Sequence, residues 1–429
     1  LSAASVCGLH IDQHADERCT AVKNGYLTAA EAAERLRIKK ASLYAYVSRG
    51  LLRRHRKAGT TESLFDALEV ERLAGRSRRE PRLPRQPPLF QSAITAIREN
   101  TMHFRGHDAR ELAVTRTYED VAVLLWADVV TPNTRFIPIT EMVPQLQAVA
   151  AHLPAETLPF DRFKAMLPIA AVLDPLRHDL ARASLLALAP RIVVTLLEAM
   201  PAVAVDAAWP DSADRFDFSA RLWLRLGRVG PTPELLDLLN TTLILVADAD
   251  VSTPTTIAAR LGASVRADLY SVLAAAMHCS GGAVQSASSL AVESYLEAMQ
   301  RNSSISQFVG ERLREGEALP GFGHWRFPGG DSRARLILDR LLALPTHAEK
   351  VDRLGAFLEL QTQRGLPPPN IGFAIAALAY VAGMIRGSGE MIFALGRSAG
   401  WIAHAIEQYD ARSEPARPVS IYVGRWPGN

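Results

Sequence analysis

The sequence predicts a predominantly helical protein in two parts, a small basic unit followed by a large all-α body. Long stretches such as ARASLLALAPRIVVTLLEAM (181–200) and LDRLLALP (338–345) place Ala and Leu at the three- and four-residue spacing of a helix face, while alternating strand-like runs are scarce. Residues 76–88, RSRREPRLPRQPP, cannot carry a regular helix and mark the boundary between the parts. A hydrophobic content of 48% with 22% charged residues over 429 residues is enough to bury a large core.

The first segment, 1–24, is polar and is expected to be disordered. It contains Cys7, His10, His14 and Cys19, four residues of metal-ligand type, but their spacing fits no standard zinc module and no metal is expected. Residues 25–75 form the small unit. In YLTAAEAAERL, Thr28 and Glu31 have capping-box spacing, and Ala32, Ala33 and Leu36 follow on one helical face. A break at Arg37–Lys39 precedes a second helix in KASLYAYVSRG, with Leu43, Tyr46 and Val47 inward and Gly50 as the stop. LLRRHRKAGTTESLF then suggests a small hairpin, ahead of a helix in DALEVERLAG.

Helix, tight turn, helix, wing and helix make the order of a winged helix-turn-helix, and the wording resembles the MerR and excisionase-like class. That resemblance implies a second helix in the DNA major groove and a wing on the phosphates. From Arg35 to Lys57 there are nine Lys or Arg residues and no acid, a face suited to salt-dependent phosphate binding. Ser42, Tyr44 and Arg49 are the candidates for groove contacts, and Arg53, Arg54, Arg56 and Lys57 for phosphates. A solvated basic face on a protein-interaction helix pair is the competing reading. The linker, 76–89, would let two such heads reach DNA from a dimeric body.

With a net charge of +3, basic surface in this protein is local. Three cysteines, at 7, 19 and 279, offer no disulfide framework and suit a reducing cytoplasm. Charged residues from His10 to Arg18 stand where an export signal needs an apolar core, so none is expected. The longest uncharged apolar run, Ile371–Ile385, is 15 residues, short of the ~20 that span a bilayer. It reads as a buried helix, and no membrane partner is expected.

The body's most informative stretch is GFGHWRFPGGDSR (321–333), in which glycines permit close backbone approach around His324 and Arg333. Together with SAITAI (92–97), FRGHDARELA (104–113), EDVAVLLW (119–126), PPNIGF (368–373), FALGRSAGWIAHAIEQ (393–408) and ARPVSIYVG (416–424), in that order, it resembles the citrate synthase family over roughly 90–424. The resemblance implies a large helical domain (90–295 and 391–429), a small inserted helical domain (296–390), closure over ligands and a homodimer. It implies condensation of an acyl-CoA with oxaloacetate, which needs a carboxylate base for a weak carbon acid, donors to the enol and ketone oxygens, and cations for the carboxylates. No cofactor is implied; a CoA thioester is the substrate or ligand.

By that resemblance His324 is the ketone-polarising histidine, and Arg333, Arg397 and Arg417 bind carboxylates, the last across the dimer. Gly321, Phe322 and Gly323 line the nucleotide pocket, with Trp325 expected to pack on a neighbouring helix. The departures fall on proton transfer. Gly372 occupies the place of the family's catalytic aspartate, and Gln285 that of its enol-stabilising histidine. In VADAD (246–250), Val246 replaces the histidine that holds oxaloacetate and Ala249 replaces a second. Asp248, Asp250 and Glu390 are the nearest substitute carboxylates along the chain, none in the matching slot. The resulting expectation is a site that binds but turns over poorly, coupled to a DNA-binding head. The alternatives are an active citrate or 2-methylcitrate synthase, alone or in a heteromer with an intact paralogue, and an assembly module.

Overall fold

The computed structural model describes residues 26–36, 38–48, 51–56, 63–67, 69–70, 90–98, 100–204, 208–282, 287–316, 319–411 and 415–417. The segments 1–24 and 76–89 and the residues Arg49, Gly50, Lys57 and Gln285 lie outside these. The chain divides into two compact units, residues 1–88 and 89–429.

In the first unit, strand β1 (Tyr26–Thr28) leads into α1 (Ala29–Arg35), followed by α2 (Lys40–Ser48) and strands β2 (Arg54–Arg56) and β3 (Ser63–Asp66). Thr28 and Glu31 form the expected reciprocal capping box. The expectation of helices and a hairpin omitted β1, which pairs antiparallel with β3 and makes a three-stranded sheet of order β1-β3-β2. Ala32, Leu36, Leu43, Leu52, Phe65 and Val70 form its core, with Tyr46 and Val47 packed at the edge.

The second unit opens with a feature that the all-α expectation lacked: β4 (Thr95–Arg98), β5 (Thr101–Phe104) and β6 (His107–Asp108) form a small antiparallel sheet. Thereafter it is helical: α3 (Ala109–Thr115), α4 (Tyr118–Ala127), α5 (Val143–Ala151), α6 (Pro159–Leu173), α7 (Arg182–Ala199), α8 (Asp217–Leu226), α9 (Pro233–Leu245), α10 (Pro254–Ser264), α11 (Leu269–Ser280), α12 (Ala287–Gln300), α13 (Ile305–Arg314), α14 (Ser332–Leu342), α15 (Ala348–Gln363), α16 (Ile371–Val381) and α17 (Ser388–Asp410). The apolar run from Ile371 is buried as expected, and among the described residues no helix is long and apolar enough to cross a membrane.

α17 is the axis of the unit. Small residues let its neighbours approach: a Cβ on Gly400 would lie 2.6 Å from the Ala247 carbonyl, and the Gly400 N–H donates to that carbonyl at 2.8 Å. The Trp126 indole N–H bonds the Ala399 carbonyl at 2.8 Å and the Tyr118 hydroxyl bonds that of Leu395 at 2.7 Å. A buried polar network continues outward, with Asp248 accepting from Thr95 at 2.5 Å and bonded to His404 at 3.1 Å. These bonds fix the chain after α9 against the middle of α17, where Arg397 emerges.

Candidate ligand-binding site

A cavity of about 340 Å³ lies among the loop before α14, the first turn of α16, the turn after α9 and the middle of α17. The loop is stitched to the start of α16: Gly323 N–H donates to the Pro368 carbonyl (2.8 Å), Asn370 N–H to that of Gly321 (2.9 Å), and the Asn370 amide to that of Gly323 (3.0 Å). Within the loop, the Phe327 N–H closes a turn onto the His324 carbonyl at 3.1 Å. The first and fourth residues of that turn face inward, so His324 is half-buried and Phe327 buried, while the two between them point out.

His324 Nδ1 accepts the Arg326 backbone N–H at 3.1 Å. The ring proton of the neutral imidazole therefore sits on Nε2, free to donate. Burial, and then the positive charge of Arg333, hold its pKa below the usual histidine range, with Asp331 partly opposing. At neutral pH this side chain is an uncharged donor.

Two arginines supply the charge. Arg333 is 4% exposed and its Nε and Nη2 bind the Asp331 carboxylate at 2.9 and 2.8 Å. That pair leaves Nη1 without a hydrogen bond to any described residue. Arg397 is equally buried; its Nε donates to the Val246 carbonyl at 2.7 Å, and neither terminal nitrogen bonds a described residue. Burial pulls its pKa down to about 10, Asp248 opposes this, and the nearby Arg333 adds to it. A buried cation that is poorly compensated by the protein is stabilised when an anion enters.

The structure gathers His324, Arg333, Arg397, Gly323 and Gly372 around one cavity. Gly321 and Phe322 stand behind its wall: a Cβ on Gly321 would meet Val292 and Phe373, and the Phe322 ring packs on Phe373 at 4.9 Å. Arg417 is exposed and does not line the cavity. Of the two positions in VADAD, Ala249 lines the cavity and Val246 is buried in the core, because Val246 ends α9 facing α17. Asp248 is buried within its network, while Asp250 is the one carboxylate lining the cavity among the described residues. An ion pair with Arg326 occupies it.

Sequence reasoning missed the Asp250–Arg326 pair, since 76 positions separate the partners. It also placed Trp325 in packing, whereas the outward side of the turn leaves that indole 76% exposed at the cavity mouth with the Arg326 guanidinium 5.4 Å above it. No three His, Cys, Asp or Glu residues converge as a metal site among the described residues.

A model of the citrate synthase family, described as its C-terminal domain, matches residues 85–419. The chain belongs to the citrate synthase family. It is 23% identical to citrate synthase 2 of Bacillus subtilis over 350 residues, 78% of this chain and 93% of that one. It is 25% identical to 2-methylcitrate synthase of Mycobacterium tuberculosis over 344 residues, 76% and 85% of the two chains. The fold matches citrate synthase of Thermotoga maritima with a TM-score of 0.60 at 22% identity, covering 80% of this chain and 95% of that one. It also matches the Thermoplasma acidophilum enzyme in ternary complex with carboxymethyl coenzyme A and oxaloacetate, with a TM-score of 0.61 at 18% identity over 80% and 95%.

In the first unit, Ser42, Tyr44, Arg53 and Arg54 are all exposed. The Arg54 guanidinium lies 5.8 Å from the Tyr44 ring centre, placing α2 and β2 on one face. Arg53 is only partly free, since its Nε is 3.7 Å from the Glu69 carboxylate and its N–H donates to the same group at 3.0 Å. The side chain of Arg56 and the residues Arg49 and Lys57 lie outside what the structure describes.

Proposed function

We propose that this citrate synthase homologue senses a small keto-dicarboxylate, with oxaloacetate as the best match, and transmits its binding to DNA through the N-terminal unit. One observation carries the reading: the cavity keeps a neutral Nε2–H donor and two buried guanidiniums with open nitrogens, while its one carboxylate among the described residues is tied to Arg326. Arginine forks match carboxylates bidentately, and His324 suits the ketone oxygen. Gly372, at the place of the family's base, has no group to take a proton from an acyl-CoA, and loss of one general base costs about 10²–10⁴ in rate.

A dimer, in which Arg417 reaches the neighbouring site, follows the family pattern, as does CoA near Gly323. The α1–turn–α2 arrangement with the β2–β3 hairpin supports DNA binding, α2 being the groove helix and Arg53 and Arg54 the phosphate contacts. A second reading, an active citrate or 2-methylcitrate synthase alone or in a heteromer with an intact paralogue, is favoured by the likeness to both enzymes.

Calorimetry of oxaloacetate, citrate and CoA, with thiol release from acetyl-CoA and propionyl-CoA on the same sample, separates the two. Saturable oxaloacetate binding without thiol release is expected; turnover at rates typical of enzymes sinks the sensor reading. Salt-dependent retardation of DNA upstream of the chain's own gene is also expected. The joint Arg53→Ala and Arg54→Ala variant should flatten the log–log salt slope by roughly 2. An unchanged slope would remove these residues from the interface.

A further inference from the structure

A second cavity, of about 380 Å³, lies at the far ends of the helices that line the first. On α16, Ile371, Gly372 and Ile375 face the first cavity and Ala379 and Tyr380 the second. On α12, Ser289 faces the first, and Glu293, Glu297 and Gln300 the second. From Gly372 to Tyr380 is eight residues, about 12 Å along the helix.

Cations dominate this second space. Arg228 follows α8, Arg301 follows α12, Arg386 lies on the connection from α16 to α17, and Lys350 comes from α15. None of the three arginines has a hydrogen bond or ion pair with a described residue. Lys350 is held in place, donating to the Tyr380 carbonyl at 2.6 Å. Of the two carboxylates, Glu293 is committed to the backbone, accepting the N–H groups of Gly387 and Gly389 at 2.7 Å each. The cavity lining thus sets four cationic side chains against two carboxylates, with Glu349 adding its charge near Lys350.

We propose that this cavity binds a small polyphosphate-bearing anion, whose phosphoryl groups are shared among Arg228, Arg301 and Arg386. Three planar guanidiniums arriving from separate segments match an extended anion with several tetrahedral centres better than a single small one. The volume fits such a ligand. The bound anion cross-links the α8 end, the α12 end and the α16–α17 connection. That connection is already tied to α8 through the Ile385 N–H on the Leu226 carbonyl at 2.8 Å. It also sets α17, with Arg397, relative to α16, with Gly372. Occupancy of the two cavities is therefore coupled, by the same factor in both directions.

The test is titration of the full-length protein with inorganic tripolyphosphate, orthophosphate and adenosine triphosphate, alongside the Arg228→Gln, Arg301→Gln, Arg386→Gln triple variant. These are exposed side chains, so the variant is expected to melt like the parent and to keep its oxaloacetate binding. Tripolyphosphate should saturate one site per chain that oxaloacetate does not displace, weaken at least tenfold in the variant, and slow amide exchange over 383–389. Equal affinity for the nucleotide assigns recognition to the phosphates alone, and tighter binding of the nucleotide adds the Ala379–Met384 wall; both support the site. No saturable binding, binding no tighter than orthophosphate, or undiminished binding by the variant overturns it. Oxaloacetate affinity is read independently, so failure here leaves the first cavity's assignment standing or falling by itself.

Discussion

A guanidinium that is 4% exposed and bonded through one nitrogen to a backbone carbonyl is costly in a ligand-free protein, and Arg397 is held in that way. Its depressed pKa is the same fact in another form, since burial disfavours the charged state more than Asp248 favours it. Asp248 draws on Arg397 in turn: Thr95 and His404 bond one of its oxygens, the other is buried without a hydrogen bond, and the Arg397 charge is among the groups that hold its pKa down. Arg397→Met, similar in volume and uncharged, removes the larger cost at the expense of the smaller support to Asp248, and should leave the empty protein at least as stable as the parent, read as an unchanged or raised Tm. The same variant should weaken oxaloacetate binding at least tenfold. A lowered Tm would instead make Arg397 a structural partner of Asp248. Measuring both quantities on one variant separates a residue kept for a ligand from one kept for the fold.

The loop from Gly321 to Arg333 works as an element because its glycines are not equivalent. Gly321 has φ +83° and a Cβ there would sit 2.6 Å from Val292 Cγ2 and 2.9 Å from Phe373 Cβ, so Gly321→Ala must push the loop off α16. Gly323 has φ +71° but its nearest neighbour, Pro367, would be 3.5 Å away. Gly321→Ala should cost roughly 2 to 4 kcal/mol in urea unfolding and Gly323→Ala about 1 kcal/mol. Equal costs would show that the loop is not pinned by packing. Elements of this kind were largely legible: the capping box at Thr28, the buried helix from Ile371 and the cation pair of Arg333 and Arg397 follow from local spacing or motif order. What escaped depends on partners distant in sequence. β1 exists only through β3, β4 to β6 only through each other, and Asp250 is committed only because a turn throws Arg326 outward. The second cavity is assembled from four segments, and no local pattern announces it.

At the scale of the whole molecule, the question is which chain completes each site. Arg417 is exposed and does not line the cavity of its own chain, while Arg397 does. In a two-fold dimer, a residue that acts across the interface and one that acts within its own chain can be told apart by mixing. Arg417→Ala and Arg397→Ala homodimers should each bind oxaloacetate weakly, at every site. Heterodimers isolated through two different tags should differ. If Arg417 acts across the interface, both lesions fall in one site and the other site is intact, restoring one tight site per dimer by calorimetry. If it acts within its own chain, each site carries one lesion and none is restored. Recovery of the tight site would also make the dimer the unit that senses ligand, because neither chain would hold a complete set of cations alone.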